Sequence, residues 1–181
     1  MAPQTTSRMT YKDFLEMPDD GKQYELIEGE LILNPAPIPR HQLVAGNLYH
    51  AIRNYFDQHD IGKVMHSPID VVLADDVLLQ PDLIIIRNEH LSIIGPKNIQ
   101  GPPDVVIEVL SDGTRRKDEI VKRKLYERYG VAEYWVVDPA NGTVTIYRRS
   151  GTSFARIEAG GTVATPLLPG FALDINVIFD V

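Results

Sequence analysis

The stretch Val105-Val-Ile-Glu-Val-Leu110 is the part of the sequence that decides the fold. A continuous apolar run of this kind is typical of a strand that is buried on both faces of a sheet. Glu108 interrupts the run, and side-chain alternation places it on the same face as Val106 and Leu110. Because burial of a lone carboxylate is costly, the pattern predicts a compensating partner for Glu108, either a metal ion or a lysine.

A second acid precedes another apolar run earlier in the chain. Asp82 follows Pro81 and opens Leu83-Ile-Ile-Ile86, which we predict to be a second central strand. Carboxylates from two adjacent strands supply the hard oxygen ligands that suit Mg²⁺ or Mn²⁺. Two structural interpretations stay open at this point: Glu108 forms an ion pair with a basic residue, and Asp82 only caps a turn.

The residues after Leu110 have the pattern of a βαβ crossover. We predict a helix over residues 116–129 with an apolar stripe of Val121, Leu125 and Tyr129, ended by Gly130 at the C′ position. A fourth strand follows over residues 133–137.

The flanking sequence predicts further elements on both sides of this unit. They are a short helix over 11–17 capped by Thr10, a hairpin over 23–33, a helix over 40–57, a strand over 63–73 and a second hairpin over 144–157. The predicted fold class is α/β, with a core of helix, three strands, helix and strand and a β-hairpin added at each end. We expect a single domain over residues 1–181.

The composition excludes several classes of protein. Hydrophobic residues make up 44% of the 181 residues and charged residues 24%, which is typical of a globular domain. The chain has no cysteine, which excludes disulfides, thiolate metal sites and a cysteine nucleophile. No stretch approaches the ~18 apolar residues of a membrane helix, and the N-terminus lacks a signal-peptide pattern. We therefore expect a cytoplasmic protein with no membrane partner.

The charge is unevenly distributed. A net charge of −7 argues against a protein that coats nucleic acid through a broad basic surface. Between Arg115 and Arg128, however, seven basic residues stand against three acidic ones. One basic helix on an acidic body can meet a phosphate backbone, although such a run is more often a solvated helix face.

Seven motifs distributed along the chain together resemble a known family. They are Met9-Thr-Tyr-Lys-Asp-Phe14, Tyr24-Glu-Leu-Ile-Glu-Gly-Glu-Leu31, Pro39-Arg-His41, Gln80-Pro-Asp82, Pro103-Asp-Val-Val-Ile-Glu-Val-Leu-Ser111, Lys122-Arg-Lys-Leu-Tyr126 and Gly130-Val-Ala-Glu-Tyr-Trp-Val-Val-Asp138. With these motifs the chain resembles the Uma-type family of restriction-endonuclease-like proteins, which belongs to the PD-(D/E)XK nuclease superfamily. The resemblance covers nearly the whole chain and implies a restriction-endonuclease-like fold.

The resemblance also implies roles for individual residues. Asp82 matches the aspartate of the "PD" element, and Glu108 matches the acid of the "(D/E)XK" element. Leu110 stands where the signature has lysine, so the strand does not complete the motif. In the family a lysine on the following helix takes over, and Lys122 is the matching position, with Lys117 as a rival.

The function implied by the resemblance is that of a Mg²⁺- or Mn²⁺-dependent endonuclease that cuts phosphodiester bonds in DNA. Asp82 and Glu108 would be the metal ligands, and Lys122 would orient the attacking water or stabilise the charge on the phosphate. The alternative is a catalytically inactive interaction module that keeps the nuclease fold. We further expect a homodimer, because two hairpins leave exposed hydrophobic edges.

Three more residues are candidates for accessory roles. Glu25 and Glu30 flank the turn of the first hairpin, and strand alternation can direct one of them toward the site as an extra ligand. The pattern favours the other interpretation, in which both are exposed hairpin charges. His41 lies at the start of the first long helix, where it can meet a phosphate or a carboxylate, although capping or surface exposure is the more common role.

Overall fold

The central element of the fold is a six-stranded mixed sheet. The structure is a computed structural model that describes residues 8–181. The strands of the sheet are β3 Gly62–His66, β6 Leu83–Arg87, β8 Val105–Val109, β9 Glu133–Asp138, β10 Thr143–Ser150 and β11 Ser153–Glu158. Across the sheet they lie in the order β11-β10-β9-β8-β6-β3. Every residue of β8, and Leu83 to Ile86 of β6, is buried, which confirms the two predicted central strands.

Helices cover both faces of this sheet. The helix α2 Pro39–Gln58 packs Val44, Leu48 and Ile52 against one face. The other face is covered by a helix made of a π-helical segment, Lys117–Lys122, and α3 Arg123–Tyr129; we call this continuous helix the site helix. In chain order the core is therefore α2, the antiparallel strands β3, β6 and β8, the site helix and β9, as predicted.

The site helix connects two parallel strands. Val105 to Val109 of β8 pair in register with Glu133 to Val137 of β9, so the predicted βαβ crossover is confirmed. Gly130 ends the helix with φ 94°, a left-handed conformation that glycine adopts without steric cost.

The predicted apolar stripe of the site helix is wrong at one position. Val121 is 38% exposed, whereas its neighbour Lys122 is buried at 3% exposure. The stripe assumes 3.6 residues per turn, but the hydrogen bonds of a π-helix join residues five apart. The π-helical segment therefore changes which residues face the sheet, and a charged side chain takes the buried place.

A second sheet of five strands lies beside the first, in the order β2-β1-β5-β4-β7. It contains the predicted hairpin, β1 Tyr24–Ile27 and β2 Glu30–Leu33, with both turn residues, Glu28 and Gly29, at positive φ. Its other strands are β4 Val71–Ala74, β5 Val77–Leu79 and β7 Ile99–Gln100. The predicted single strand over 63–73 is wrong: Ser67 and Pro68 separate β3 from β4, which lie in different sheets.

The remaining elements lie at the two ends of the described residues. The helix α1 Tyr11–Leu15 starts with the predicted cap, since Thr10 and Asp13 form a reciprocal capping box. The predicted second hairpin is formed by β10 and β11. The chain then forms β12 Thr162–Ala164, β13 Ala172–Asp174 and α4 Ile175–Ile178. Leu168 and Phe171 between the two strands, and Leu173 in β13, are buried on the α2 side of the core. No helix within residues 8–181 is long and apolar enough to cross a membrane.

A bidentate ion pair fixes the start of the site helix to the sheet. Asp138, the last residue of β9, accepts hydrogen bonds from Arg115 Nη1 at 2.7 Å and Nη2 at 2.9 Å. The hydrogen bonds from Arg115, aided by those from Asn141, lower the pKa of Asp138 to about 2. The pair holds Arg115, two residues before the π-helical segment, against the end of the parallel strand.

We predict that Asp138→Asn lowers the free energy of unfolding by about 1 to 2 kcal/mol at pH 7. The folded pKa of Asp138 lies below its ordinary value of 3.8, so its stabilisation is complete above pH 4 and disappears as the pH falls through about 2. Urea unfolding of both proteins between pH 7 and pH 2 measures this. Asp57→Asn, at a half-exposed pair with Arg53, is the control and should change little. An equal loss for Asp138→Asn at every pH would contradict the assignment.

Candidate active site

Asp82 and Glu108 lie next to each other at one edge of the central sheet. Leu83 of β6 pairs with Ile107 of β8, so the antiparallel register places Asp82 opposite Glu108. The backbone N–H of Val109 donates to Asp82 Oδ2 at 2.8 Å, which fixes the aspartate against the neighbouring strand. Both acids line a cleft of about 580 Å³.

Lys122 is the centre of a buried charge cluster behind these acids. Its Nζ lies 2.8 Å from Glu108 Oε1, 2.8 Å from Glu25 Oε1 and 3.4 Å from Asp118 Oδ1. The hydroxyl of Tyr126 donates a second hydrogen bond to Glu108 Oε1 at 3.0 Å. Glu108 is thus held by a lysine and a tyrosine of the same helix, and the predicted basic partner of this acid is Lys122.

Lys117 lies in the same cluster but contacts a different acid. Its Nζ is 2.8 Å from Glu25 Oε2 and 2.7 Å from Asn34 Oδ1. The two lysines therefore hold the two oxygens of Glu25 between them. They are five residues apart, and the π-helical segment brings residues at that spacing to the same side of the helix. Of the two rivals, Lys122 is the one that reaches Glu108.

The cluster has more carboxyl groups than lysines. Glu25, Glu108 and Asp118 contribute three buried carboxylates, and Asp82 contributes a fourth at the cleft, against the ammonium groups of Lys117 and Lys122. Burial raises the pKa of Glu108 well above its usual value. The positive charge of Lys122 lowers this pKa, and the negative charges of Asp118, Asp82 and Glu25 raise it further.

The lysine charges have the opposite effect on Glu25. Burial alone would raise the pKa of Glu25, but Lys122 and Lys117 outweigh it, so this pKa lies below its usual value. Burial would lower the pKa of Lys122, yet the charges of Glu108, Glu25 and Asp118 keep it well above normal. Lys122 is therefore a permanent cation at the floor of the cleft.

His41 meets a carboxylate, one of the two site roles open to it from sequence. Its Nε2 lies 3.1 Å from Asp82 Oδ2, and its side chain is 12% exposed. Burial by itself would lower the pKa of His41, but the hydrogen bond and charge of Asp82 raise it above its usual value. The helix α2, on which His41 lies, has no side-chain cap at its N-terminus.

The structure brings most of the predicted residues together and excludes one. Asp82, Glu108, Lys122, Lys117, Glu25 and His41 form one connected set at the cleft. Glu30 does not take part, because it is exposed on β2. The interpretation of Glu25 as an exposed hairpin charge is wrong: its side chain has 0% exposure, because β1 lies inside the second sheet.

Sequence reasoning missed three further members of the site. Asp118 precedes Lys122 by four residues, a spacing at which helical side chains meet, so this signal was present. Tyr126 follows Lys122 by four residues and gives the same signal. Asn34, which accepts from Lys117, gives no local signal, because the two are far apart in the sequence.

Most cations of the basic run are engaged by the protein itself. Arg115 pairs with Asp138, Arg128 pairs with Glu28, and Arg123 lies over the ring of Tyr147 with its Cζ 5.3 Å from the ring centroid. Together with the two buried lysines, five of the seven basic side chains have partners within the chain. The run therefore does not form a free basic face for a phosphate backbone.

Asp82 and Glu108 are the residues that could hold a divalent cation. The contacts described above fall on Asp82 Oδ2 and Glu108 Oε1. Within residues 8–181, no three Asp, Glu or His side chains form a complete cation cage. Mg²⁺, however, is usually bound by one or two carboxylates, with water and substrate phosphate supplying the other ligands. The remaining oxygens of the two acids and the local excess of carboxyl groups over lysines fit such an ion.

Comparison with known proteins gives a family and a fold. A family model described as "Uma2: Putative restriction endonuclease" matches residues 11–176. A crystal structure of a putative nuclease belonging to DUF820 from Anabaena variabilis ATCC 29413 has the same fold, with a TM-score of 0.79 and 21% sequence identity. The similarity covers 94% of this chain and 97% of that chain. No curated protein matches the sequence.

We predict that Lys122→Met destabilises the fold by about 3 to 5 kcal/mol at pH 8, because three buried carboxylates lose their shared cation. Glu108 then takes up a proton more readily in the folded state than in the unfolded chain, where its pKa is near 4.5. The loss should therefore shrink as the pH falls from 8 to 5. Urea unfolding at both pH values measures it. Lys124→Met, at an exposed position of the same helix, should change stability by less than about 0.5 kcal/mol. A Lys122→Met protein as stable as the parent at pH 8 would refute the role of this cation.

Proposed function

The chain belongs to the Uma2 family, and from this premise we propose that it is a Mg²⁺- or Mn²⁺-dependent endonuclease that hydrolyses phosphodiester bonds in DNA. Family and fold both support a nuclease. The observation that carries the proposal of metal-dependent DNA cleavage is the 2.8 Å contact between Lys122 Nζ and Glu108 Oε1, beside Asp82 in one cleft. This contact supports a complete set of two acids and a lysine, although Leu110 occupies the usual lysine position.

The placement of Lys122 also bears on the alternative of an inactive interaction module. A chain that had only kept the fold would not need a buried lysine held among three acids, because apolar residues in such a place are often at least as stabilising. The charged cluster lies directly behind a cleft that Asp82 and Glu108 both line. The balance of these two observations favours catalysis.

The proposed mechanism assigns each residue a separate task. Asp82 and Glu108 would hold the cation, which when bound polarises the scissile phosphate and lowers the pKa of water. Lys122, fixed by Glu25 and Asp118, supplies a permanent positive charge beside Glu108, where it stabilises negative charge that develops on the phosphate. Tyr126 and the Val109 N–H keep the two acids in position. The water oxygen forms a new bond to phosphorus while one P–O bond to a sugar oxygen breaks, and the leaving sugar oxygen takes up the proton that the water loses.

We expect the purified chain to cleave DNA in Mg²⁺ or Mn²⁺ and not in EDTA, with Glu108→Gln reducing the rate by about 100-fold or more. Glutamine keeps the size of the side chain and removes the negative charge that the cation requires. The assay uses supercoiled plasmid and single-stranded DNA, with a melting curve for each protein. Glu30→Gln, at the exposed acid of β2, is the matched control and should cleave at the parental rate. Cleavage by folded Glu108→Gln at the parental rate, or in EDTA, would overturn the proposal.

Binding of the cation should be measurable without any substrate. We expect Mg²⁺ at about 10 mM, well above a weak Kd, to raise the melting temperature of the parent. The rise should be about 2 to 4 °C for each 1 kcal/mol by which the bound ion stabilises the fold. Asp82→Asn should lose this shift, and Asp57→Asn should keep it. Sodium chloride at equal ionic strength controls for screening. A shift of equal size in all three proteins would show that the ion does not bind at Asp82.

Two further expectations from the sequence stay predictions. One is the homodimer, for which the exposed Leu33 at the end of β2 offers apolar surface. The other is the cytoplasmic location. Neither is needed for the cleft to act as proposed.

A further inference from the structure

The outer wall of the cleft is apolar, in contrast to its acidic floor. Residues 35–38, which precede α2, line it with Pro35, Ala36, Pro37 and Ile38, and the side chain of Ile38 is 57% exposed. Pro68 lines the cleft as well. A wall of this kind offers van der Waals contact to the flat faces of bases and offers phosphate oxygens no charge.

Two aromatic rings lie in this cleft close to the proposed catalytic acids. Tyr49 of α2 and His66 of β3 form an edge-to-face pair with ring centroids 4.9 Å apart. His66 Nδ1 lies 2.8 Å from the carbonyl oxygen of Ser67, and this contact fixes the orientation of the imidazole ring. Both rings line the cleft, and His66 is exposed. The two ring planes are 79° apart, so a flat base can stack on only one of them, and His66 is the more exposed.

The strand register gives the position of this ring pair. His66 pairs with Leu83, and the N–H of Ser67 donates to the carbonyl of Asp82 at 2.8 Å. Neighbouring strands are about 4.8 Å apart, so His66 lies one strand spacing from Asp82 and two from Glu108. These residues and Tyr49 all line the same cleft, so a phosphate at the two acids and a base at the rings would occupy one cleft.

The charges of the cleft do not suit a duplex. Binding of a double helix relies on several Lys and Arg side chains that contact phosphates along both strands. Among the described residues that line the cleft, only Lys117 and Lys122 are lysine or arginine, and both contact Glu25. The volume of about 580 Å³ lies in the range of small-ligand pockets and corresponds to about one or two nucleotides. Unpaired bases that stack on aromatic rings are the other mode of nucleic-acid recognition.

We propose that the cleft binds single-stranded DNA, with an unpaired base stacked on the exposed ring of His66, which Tyr49 contacts edge to face, beside the phosphate that Asp82 and Glu108 receive. The inference rests on the proposed function, because that function places a phosphate at the two acids. It adds the form of the substrate and assigns the His66 ring, held in place by Tyr49, as the surface on which a base stacks.

The test measures binding without cleavage. Fluorescence anisotropy follows a labelled single strand of about 12 nucleotides, long enough to extend beyond one cleft, and the matching duplex. Each is added to the parent protein in Ca²⁺ in place of Mg²⁺, and a gel checks that the DNA stays uncut. We expect tighter binding of the single strand than of the duplex. A third probe carries abasic sites at every position, so that it keeps the phosphates and loses the bases, and it should bind about fivefold more weakly or worse.

Substitutions in the same background assign the effect to the rings. His66→Ala should weaken single-strand binding about fivefold or more and leave the abasic probe unaffected. His50→Ala, at an exposed histidine of α2 that lies outside the cleft, is the matched control and should bind like the parent. Tyr49→Leu should weaken binding and Tyr49→Phe should restore it, because phenylalanine keeps the ring. His66 is exposed, so its test does not depend on the stability of a core variant.

The outcomes separate this inference from the proposed function. Duplex binding as tight as single-strand binding, or equal binding of the abasic probe, would overturn the stacking surface even if the parent cleaves DNA. Base-dependent single-strand binding that needs His66 and Tyr49 would support it even if the parent cleaves nothing. Loss of binding in His66→Ala for all probes alike would also overturn it, because stacking acts on bases alone.

Discussion

The ammonium group of Lys122 is the constraint on which the arrangement of the site depends. It lies in the interior at 3% exposure, where an unpaired charge would be very unfavourable, and three carboxylates surround it. Glu108 belongs to the central sheet, Glu25 to the second sheet and Asp118 to the site helix itself. One cation therefore connects the two sheets and the helix between them. The N-terminal hairpin is thus part of the site architecture.

The same contacts explain the unusual geometry of the site helix. Lys117 and Lys122 both reach Glu25, one at each oxygen, and in a regular α-helix two residues five apart would point in different directions. The π-helical segment removes this conflict, and Arg115 fixes its start through Asp138. π-Helical turns concentrate at functional sites, and here the turn places two lysines against one buried acid.

The residues that the sequence could predict are those whose signal is local. Glu108 interrupts an apolar run and Asp82 opens one, so both were predictable at the central strands. The burial of Glu25 depends on Lys117 and Lys122, which follow it by 92 and 97 residues. A pattern of neighbouring residues cannot show a contact between positions so far apart. The strand β5 has three residues, too few to show a period, and without it the second sheet could not be predicted. Lys122 was predicted by resemblance, while the periodicity of an ideal helix indicated its neighbour Val121.

The distribution of charge explains how an acidic chain can act on an anionic substrate. The net charge is −7, and most of the basic run is paired within the protein, so long-range attraction for DNA is weak. In the proposed site, attraction is confined to one place, where a divalent cation would offset the excess of carboxylates around Lys122. Affinity beyond that single phosphate has to come from uncharged contacts. The apolar wall and the two rings of the cleft offer such contacts to unpaired bases. In a duplex the faces of the bases are stacked on one another and are not available for these contacts.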